Sequence, residues 1–150
     1  EELQGVSEGG FVHQLHLRAG LLNSDFQCAV RAAFEAPAKP ASPGASARGL
    51  PPRVVPAPIK TQARMLEKVK SYAVEAAESV APERQLPLTA QILDPVRCSV
   101  VCADAKNMLQ HAQWLIDNGE TVGLPVVRAK NKFAVKDSSE YDGYRDLMLS

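Results

Sequence analysis

The first regular pattern along the chain is Phe11 to Leu17, F-V-H-Q-L-H-L, where apolar and polar residues alternate. Phe11, His13, Leu15 and Leu17 fall to one side and Val12, Gln14 and His16 to the other, the period of a strand. Residues 1–10, polar and Gly-containing, predict a loose start. Asn23 or Ser24 is placed to cap a helix through Phe34, with Phe26, Val30 and Ala33 or Phe34 at helical spacing. Residues 36–58 are rich in Pro, Ala, Ser and Gly. They predict an extended linker without a regular element, and the best internal boundary. A long helix is predicted from beside Pro58 to about Val80, with Pro82 as its stop. Its apolar stripe is Ile59, Leu66, Val69, Ala73, Ala76 and Val80. In D-P-V-R-C-S-V-V-C, Val96, Cys98, Val100 and Cys102 alternate with Arg97, Ser99 and Val101, which predicts a largely buried strand. Asp104 caps a helix to about Asn118, with Gly119 ending it. Its predicted core face is Met108, Leu109, Ala112, Leu115 and Ile116, with His111 and Trp114 on the flanks. Two strands, 122–128 and 144–150, close the chain, joined by a polar loop with Asp142-Gly143 turn chemistry.

The expected fold class is therefore α/β (α+β): a small mixed sheet in the order α-β-α-β-β, flanked by helices. The organisation is a strand-helix segment over 1–35, a Pro/Ala-rich linker over 36–58 and a domain over 59–150. Both ends suggest a processed chain or a piece of something longer.

Cations are locally grouped on this frame. Arg128, Lys130 and Lys132 alternate, so an extended backbone points all three to one face, with Tyr144 just after the turn. Lys60, Arg64 and Lys68 form an i, i+4, i+8 row lying nearly opposite the apolar stripe of the long helix. Such a row is more often a solvated face than a phosphate site. Asp94 before Pro95 is explained by turn chemistry alone. Arg97, inside an apolar strand, needs a partner.

Composition narrows the picture further. Lys plus Arg equals Asp plus Glu, 17 each, so no global charge draws the chain to nucleic acid or an anionic membrane. Aromatics are 5% of the sequence, few for stacking on RNA bases. No apolar run approaches the roughly 20 residues of a membrane span. Three cysteines without a C-x-x-C pair read as reduced, mostly buried thiols. Cys98 and Cys102 on one strand face would lie about 13 Å apart, too far for a bridge. Reduced thiols fit a reducing intracellular compartment such as the cytosol or an organelle interior. His13 and His16 lack regularly spaced acidic or thiol companions, which argues against a zinc site.

Four pieces in order, A-P-I-K-T-Q-A-R-M-L-E-K-V, D-P-V-R-C-S-V-V, V-V-R-A-K-N-K-F and D-G-Y-R-D-L-M-L, resemble the RelA/SpoT-like nucleotidyltransferase domain, in particular the divergent RelA-like modules of eukaryotic proteins. The resemblance covers about residues 57–150. It implies a nucleotidyltransferase-like fold. In active members pyrophosphate passes from ATP to the 3′-hydroxyl of GDP or GTP. Carried over by motif, Lys60, Arg64 and Lys68 resemble the helix cations on the ATP phosphates. Arg97, Arg128, Lys130 and Lys132 resemble further phosphate contacts. Tyr144 resembles the Tyr that stacks on guanine, and Asp94 resembles the Mg²⁺ ligand. Phosphoryl transfer needs such charge neutralisation and alignment more than covalent help.

Several positions depart from the active pattern. Pro58 stands where active synthetases usually carry Arg, Arg64 stands near their Ser, and Arg145-Asp146 replaces Gln-Ser. The sequence stops at Ser150, before the strand that would bear the Glu of the metal and base chemistry. Residues 14–17, Q-L-H-L, are similar to that strand, but Val12 holds the Glu position. Residues 1–35 are then either the tail of a preceding copy or a permuted strand pairing with 144–150. The expectation is a catalytically degenerate RelA/SpoT-like module, a binding or structural part of a larger protein or assembly. Its partners would be other protein subunits and a guanine or adenine nucleotide. The alternatives are an active nucleotide pyrophosphokinase using Mg²⁺ and an α/β protein- or RNA-docking domain.

Overall fold

A computed structural model of the chain describes residues 7–35, 50–78, 88–134 and 146–150. Among them the fold is mixed α and β: three α-helices and two small sheets of two strands each. The elements are α1 (Glu8–Phe34), β1 (Arg53–Ala57), α2 (Gln62–Glu78), a 3-10 turn (Leu88–Gln91), β2 (Arg97–Val101), α3 (Ala105–Asn118), β3 (Ala129–Asn131), a second 3-10 turn (Lys132–Ala134) and β4 (Leu147–Leu149). Strand β1 pairs with β2, and β3 pairs with β4. The single mixed sheet expected from the sequence is thus divided into two pairs. No helix among the described residues is long and apolar enough to cross a membrane.

The alternating stretch Phe11–Leu17 is helical, not a strand, and it belongs to the 27-residue α1. Seven residues of alternation also contain the helical subset Val12, Leu15 and His16, their less exposed positions, and buried Ala19 continues it just beyond. The window beyond Leu17 continues that 3.6-residue period and decides the matter. Ser7 starts the helix: its Oγ accepts from the Gly10 backbone N–H at 3.3 Å. Asn23 therefore caps nothing; it lies mid-helix, where its Oδ1 accepts from Gln27 Nε2 at 3.2 Å. Leu147–Leu149 pairs antiparallel with Ala129–Asn131, in the register Ala129 to Leu149, so it does not pair with residues 11–17.

Strand β1 lies inside the stretch expected to be irregular. Pro56 is tolerated because, among the described residues, a two-stranded sheet leaves one edge of each strand without ladder bonds. Helix α2 begins at Gln62, later than expected, because Thr61 caps it: Thr61 Oγ1 accepts from Arg64 N at 3.3 Å. Among its described side chains Met65 and Val69 are buried and Tyr72 is half-buried. Leu66 and Ala73, assigned to the stripe from sequence, are exposed. The Ala76 side chain and Val80 lie outside the described residues.

Contacts sort the chain into two compact units, one of residues up to Cys28 with Val55–Ser99, the other of Ala29–Val54 with Val100–Ser150. In the first, Val12, Met65, Val69 and Ile92 are buried together, with Leu15, Tyr72 and Leu88 against them. The Tyr72 hydroxyl donates to the Gln91 carbonyl at 3.3 Å, tying α2 to the 3-10 turn. Strand β2 is only half-buried, contrary to its apolar composition: Ser99 and Val101 are exposed. With one neighbouring strand among the described residues, β2 is not enclosed by them as a central strand would be.

In the second unit Phe34 meets His111 and Trp114 edge-on, at centroid distances of 5.8 and 6.0 Å. Asp104 caps α3 as expected, its Oδ1 accepting from Asn107 N at 2.7 Å. The face α3 buries is not the predicted one. Asn107 and His111 are buried, while Leu109 and Ile116 are exposed. Gly119 ends the helix, but with right-handed φ −56°. A Cβ there would lie 2.4 Å from the Leu124 carbonyl oxygen and 2.7 Å from that of Leu115. Close backbone approach, not a left-handed turn, demands glycine at this point. The predicted strand 122–128 is turn and irregular structure; the strand begins at Ala129, with the Arg128–Ser150 backbone bonds just ahead of it.

Candidate functional site

Three sequence-predicted residues of the first unit, Lys60, Asp94 and Arg97, lie where the chain leaves β1 and where it enters β2. Lys60 is not on the helix at all. Its backbone N–H donates to the Pro95 carbonyl at 3.0 Å, which holds it just before the Thr61 cap. The i, i+4, i+8 row is therefore broken at its first member. Lys60 Nζ instead donates to Asp94 Oδ1 at 2.5 Å, with the two side chains only 10% and 21% exposed. Arg97 finds the partner its setting required: Nη2 donates to the Pro58 carbonyl at 3.0 Å. Its Nε is buried without a hydrogen-bond partner among the described residues. The carbonyl of Arg97 accepts from Gln27 Nε2 at 2.8 Å, and His16 Nδ1 lies 3.2 Å from the Lys60 carbonyl oxygen. These contacts bind residues 58–60 to residues 94–97 and both to α1.

Chemically, this cluster is closed on itself. The Lys60 ammonium neutralises Asp94, so the cation is committed to a carboxylate and the carboxylate to a cation. Among the described residues no group of three or more His, Cys, Asp or Glu side chains is arranged to hold a metal ion. A lone carboxylate beside an ammonium is a poor Mg²⁺ ligand set.

Arg64 and Lys68 stay on α2 and face outward. Arg64 Nη1 pairs with Glu67 Oε2 at 2.7 Å, with the side chains 74% and 58% exposed. Lys68 Nζ stands 5.5 Å from the centre of the Tyr72 ring. Solvated cations, as helical geometry favoured, describe both.

The second unit holds the other set. Arg128 and Lys130 are exposed, and the backbone of Arg128 exchanges hydrogen bonds with that of Ser150, each 2.9 Å long. Lys132 leaves the strand for the 3-10 turn, so the expected three-cation face ends at Lys130. Its Nζ lies 3.0 Å from Asp146 Oδ1, an ion contact without hydrogen-bond alignment. Tyr144, expected to stack on a base, lies outside the described residues.

One grouping escaped the sequence reading. The Leu50 carbonyl accepts from Asn107 Nδ2 at 3.0 Å and from His111 Nε2 at 3.1 Å, which fixes the Nε2–H tautomer. His111 Nδ1 is buried and has no hydrogen-bond partner among the described residues. The signal was present in the i, i+4 spacing of Asn107 and His111, but both types usually lie outside.

All three cysteines are free. Burial raises the Cys98 thiol above its ordinary 9.0. Burial raises Cys102 too, with the charge of Asp104 adding to it. A raised value lowers the thiolate character of each.

No known family, curated protein or solved structure matches the chain.

Proposed function

We propose that this chain is a catalytically degenerate RelA/SpoT-like module that serves as a binding or structural part of a larger protein or assembly. One observation carries the degenerate reading: the partly buried Lys60–Asp94 ion pair occupies, one against the other, the two groups that a phosphate and a Mg²⁺ ion would need. The resemblance of 57–150 to the nucleotidyltransferase domain supports the family, and the departures at Pro58, Arg64, Arg145 and Asp146 support loss of its chemistry. The test is a radiolabel transfer assay from ATP to GDP and GTP with Mg²⁺, alongside calorimetry with each nucleotide. No tetra- or pentaphosphate product is expected. Mg²⁺-dependent turnover that Asp94→Asn abolishes would overturn the reading in favour of an active pyrophosphokinase. Sedimentation of the chain in extracts of its native source tests the assembly, where it should travel in a complex much larger than a 150-residue chain.

A docking role for the second unit has its own support. Arg128 and Lys130 are exposed near Phe133, itself exposed, a small basic and aromatic surface on which an RNA strand or an acidic protein could lie. Binding of a single-stranded RNA that falls steeply with salt and is lost in Arg128→Ala/Lys130→Ala would establish the RNA form.

A further inference from the structure

Helix α1 turns one side inward: Val12 and Ala19 are buried, and Leu15 and Phe26 are half-buried. The adjoining side carries Arg18, Leu21, Leu22 and Asp25, all exposed, with Leu22 at its border with the inward side. Leu21 is 81% exposed and Leu22 58%, the two most exposed large apolar residues on the helix. Arg18 stands three residues before Leu21, and Asp25 three residues after Leu22. The two lie seven apart, nearly two full turns, so they project in almost the same direction. No described residue forms an ion pair with either.

This arrangement is self-complementary. Opposite charges sit at equal distances on either side of an apolar centre. We infer that α1 is the contact of a weak homodimer, in which the α1 of a second copy docks antiparallel across the Leu21–Leu22 step. A two-fold axis through that step gathers four leucines at the centre and sets Arg18 of each copy against Asp25 of the other. A parallel pair would set Arg18 against Arg18 and Asp25 against Asp25, so the charges select the antiparallel sense. One helix face with two leucines per copy falls short of the roughly 800 Å² per partner of a standard interface. The dimer is accordingly weak, with a Kd of about micromolar or higher.

Sedimentation equilibrium of the full chain, over about two decades of concentration around micromolar, reads the monomer–dimer balance directly. Arg18→Asp and Asp25→Arg should each raise the Kd at least about tenfold, since each sets two like-charge pairs face to face. The double variant Arg18→Asp/Asp25→Arg should return to the wild-type Kd, a rescue that damage to the fold does not produce. Leu21→Gln should weaken association by a similar factor. A chain monomeric throughout the range overturns the proposal, and so does a dimer indifferent to both charge reversals. Orientation is read from a variant keeping Cys28 alone, Cys98→Ser/Cys102→Ser, under mild oxidation. The antiparallel pair holds the two Cys28 residues about 20 Å apart along the helices, far beyond disulfide reach. Rapid Cys28–Cys28 cross-linking would mean a parallel pair and overturn the assignment.

Discussion

The chain is gripped on both sides of β1, but by different chemistry. Before the strand, the Leu50 carbonyl is held by two neutral donors, Asn107 and His111 of α3. After it, residues 58–60 are held by charge: Lys60 on Asp94, and Arg97 on the Pro58 carbonyl. The neutral grip is redundant, since one acceptor has two donors. The charged grip is not. Removing either member of a buried ion pair leaves the other charged and without a partner, which costs more than the pair contributes. A functional reading of Lys60 and Asp94 must therefore first set aside their structural role.

The largest expected effect breaks the charged grip. Lys60→Ala should destabilise the protein by about 3 kcal/mol in urea unfolding, and Lys60→Met/Asp94→Leu should recover most of that loss. A double variant as unstable as the single one would mean that Lys60 acts through packing rather than charge. Next comes the helix that carries the neutral grip. Gly119→Ala drives a methyl into the Leu124 and Leu115 carbonyls and should cost about 1–3 kcal/mol, seen as a lower thermal midpoint. His111→Phe is milder, under about 1 kcal/mol. The lost bond to Leu50 is offset by removal of the unpartnered buried Nδ1, and Asn107 still holds the carbonyl. A large loss at His111 would show that the two donors are not redundant. Smallest of all is Arg64→Ala, whose exposed pair with Glu67 should contribute under about 0.5 kcal/mol. These four place the charged and neutral grips on one stability scale.

Local signals were legible where a side chain acts on its own backbone neighbourhood. Asp104 caps α3, Gly119 ends it, and the spacing of Val30, Ala33 and Phe34 gave the C-terminal half of α1. Longer-range inferences fared differently. Leu109 and Ile116 were assigned to the core because they are apolar, yet Asn107 and His111 are the residues buried. Hydrophobicity ranks side chains by the cost of wetting them and is silent on whether a carbonyl such as that of Leu50 waits for a donor. The Lys60 row failed for a similar reason. Its spacing is helical, but the Pro95 carbonyl captures the Lys60 N–H before the helix begins.

The sequence by itself determined a mixed α and β chain, the approximate positions of α2 and α3, the caps of α3, and an Arg97 in need of a partner. Each of these depends on contacts within a few residues, or on a demand that burial imposes. Only the tertiary structure decided that Phe11–Leu17 is helical, that β1 lies within the Pro-rich stretch, and that Lys60 belongs to Asp94. Residues 60 and 94 are far apart along the chain, and nothing in the spacing around either one names the other. An ion pair forms where folding brings two charges together out of water, and Lys60 and Asp94 lie in the unit in which Val12, Met65, Val69 and Ile92 are packed.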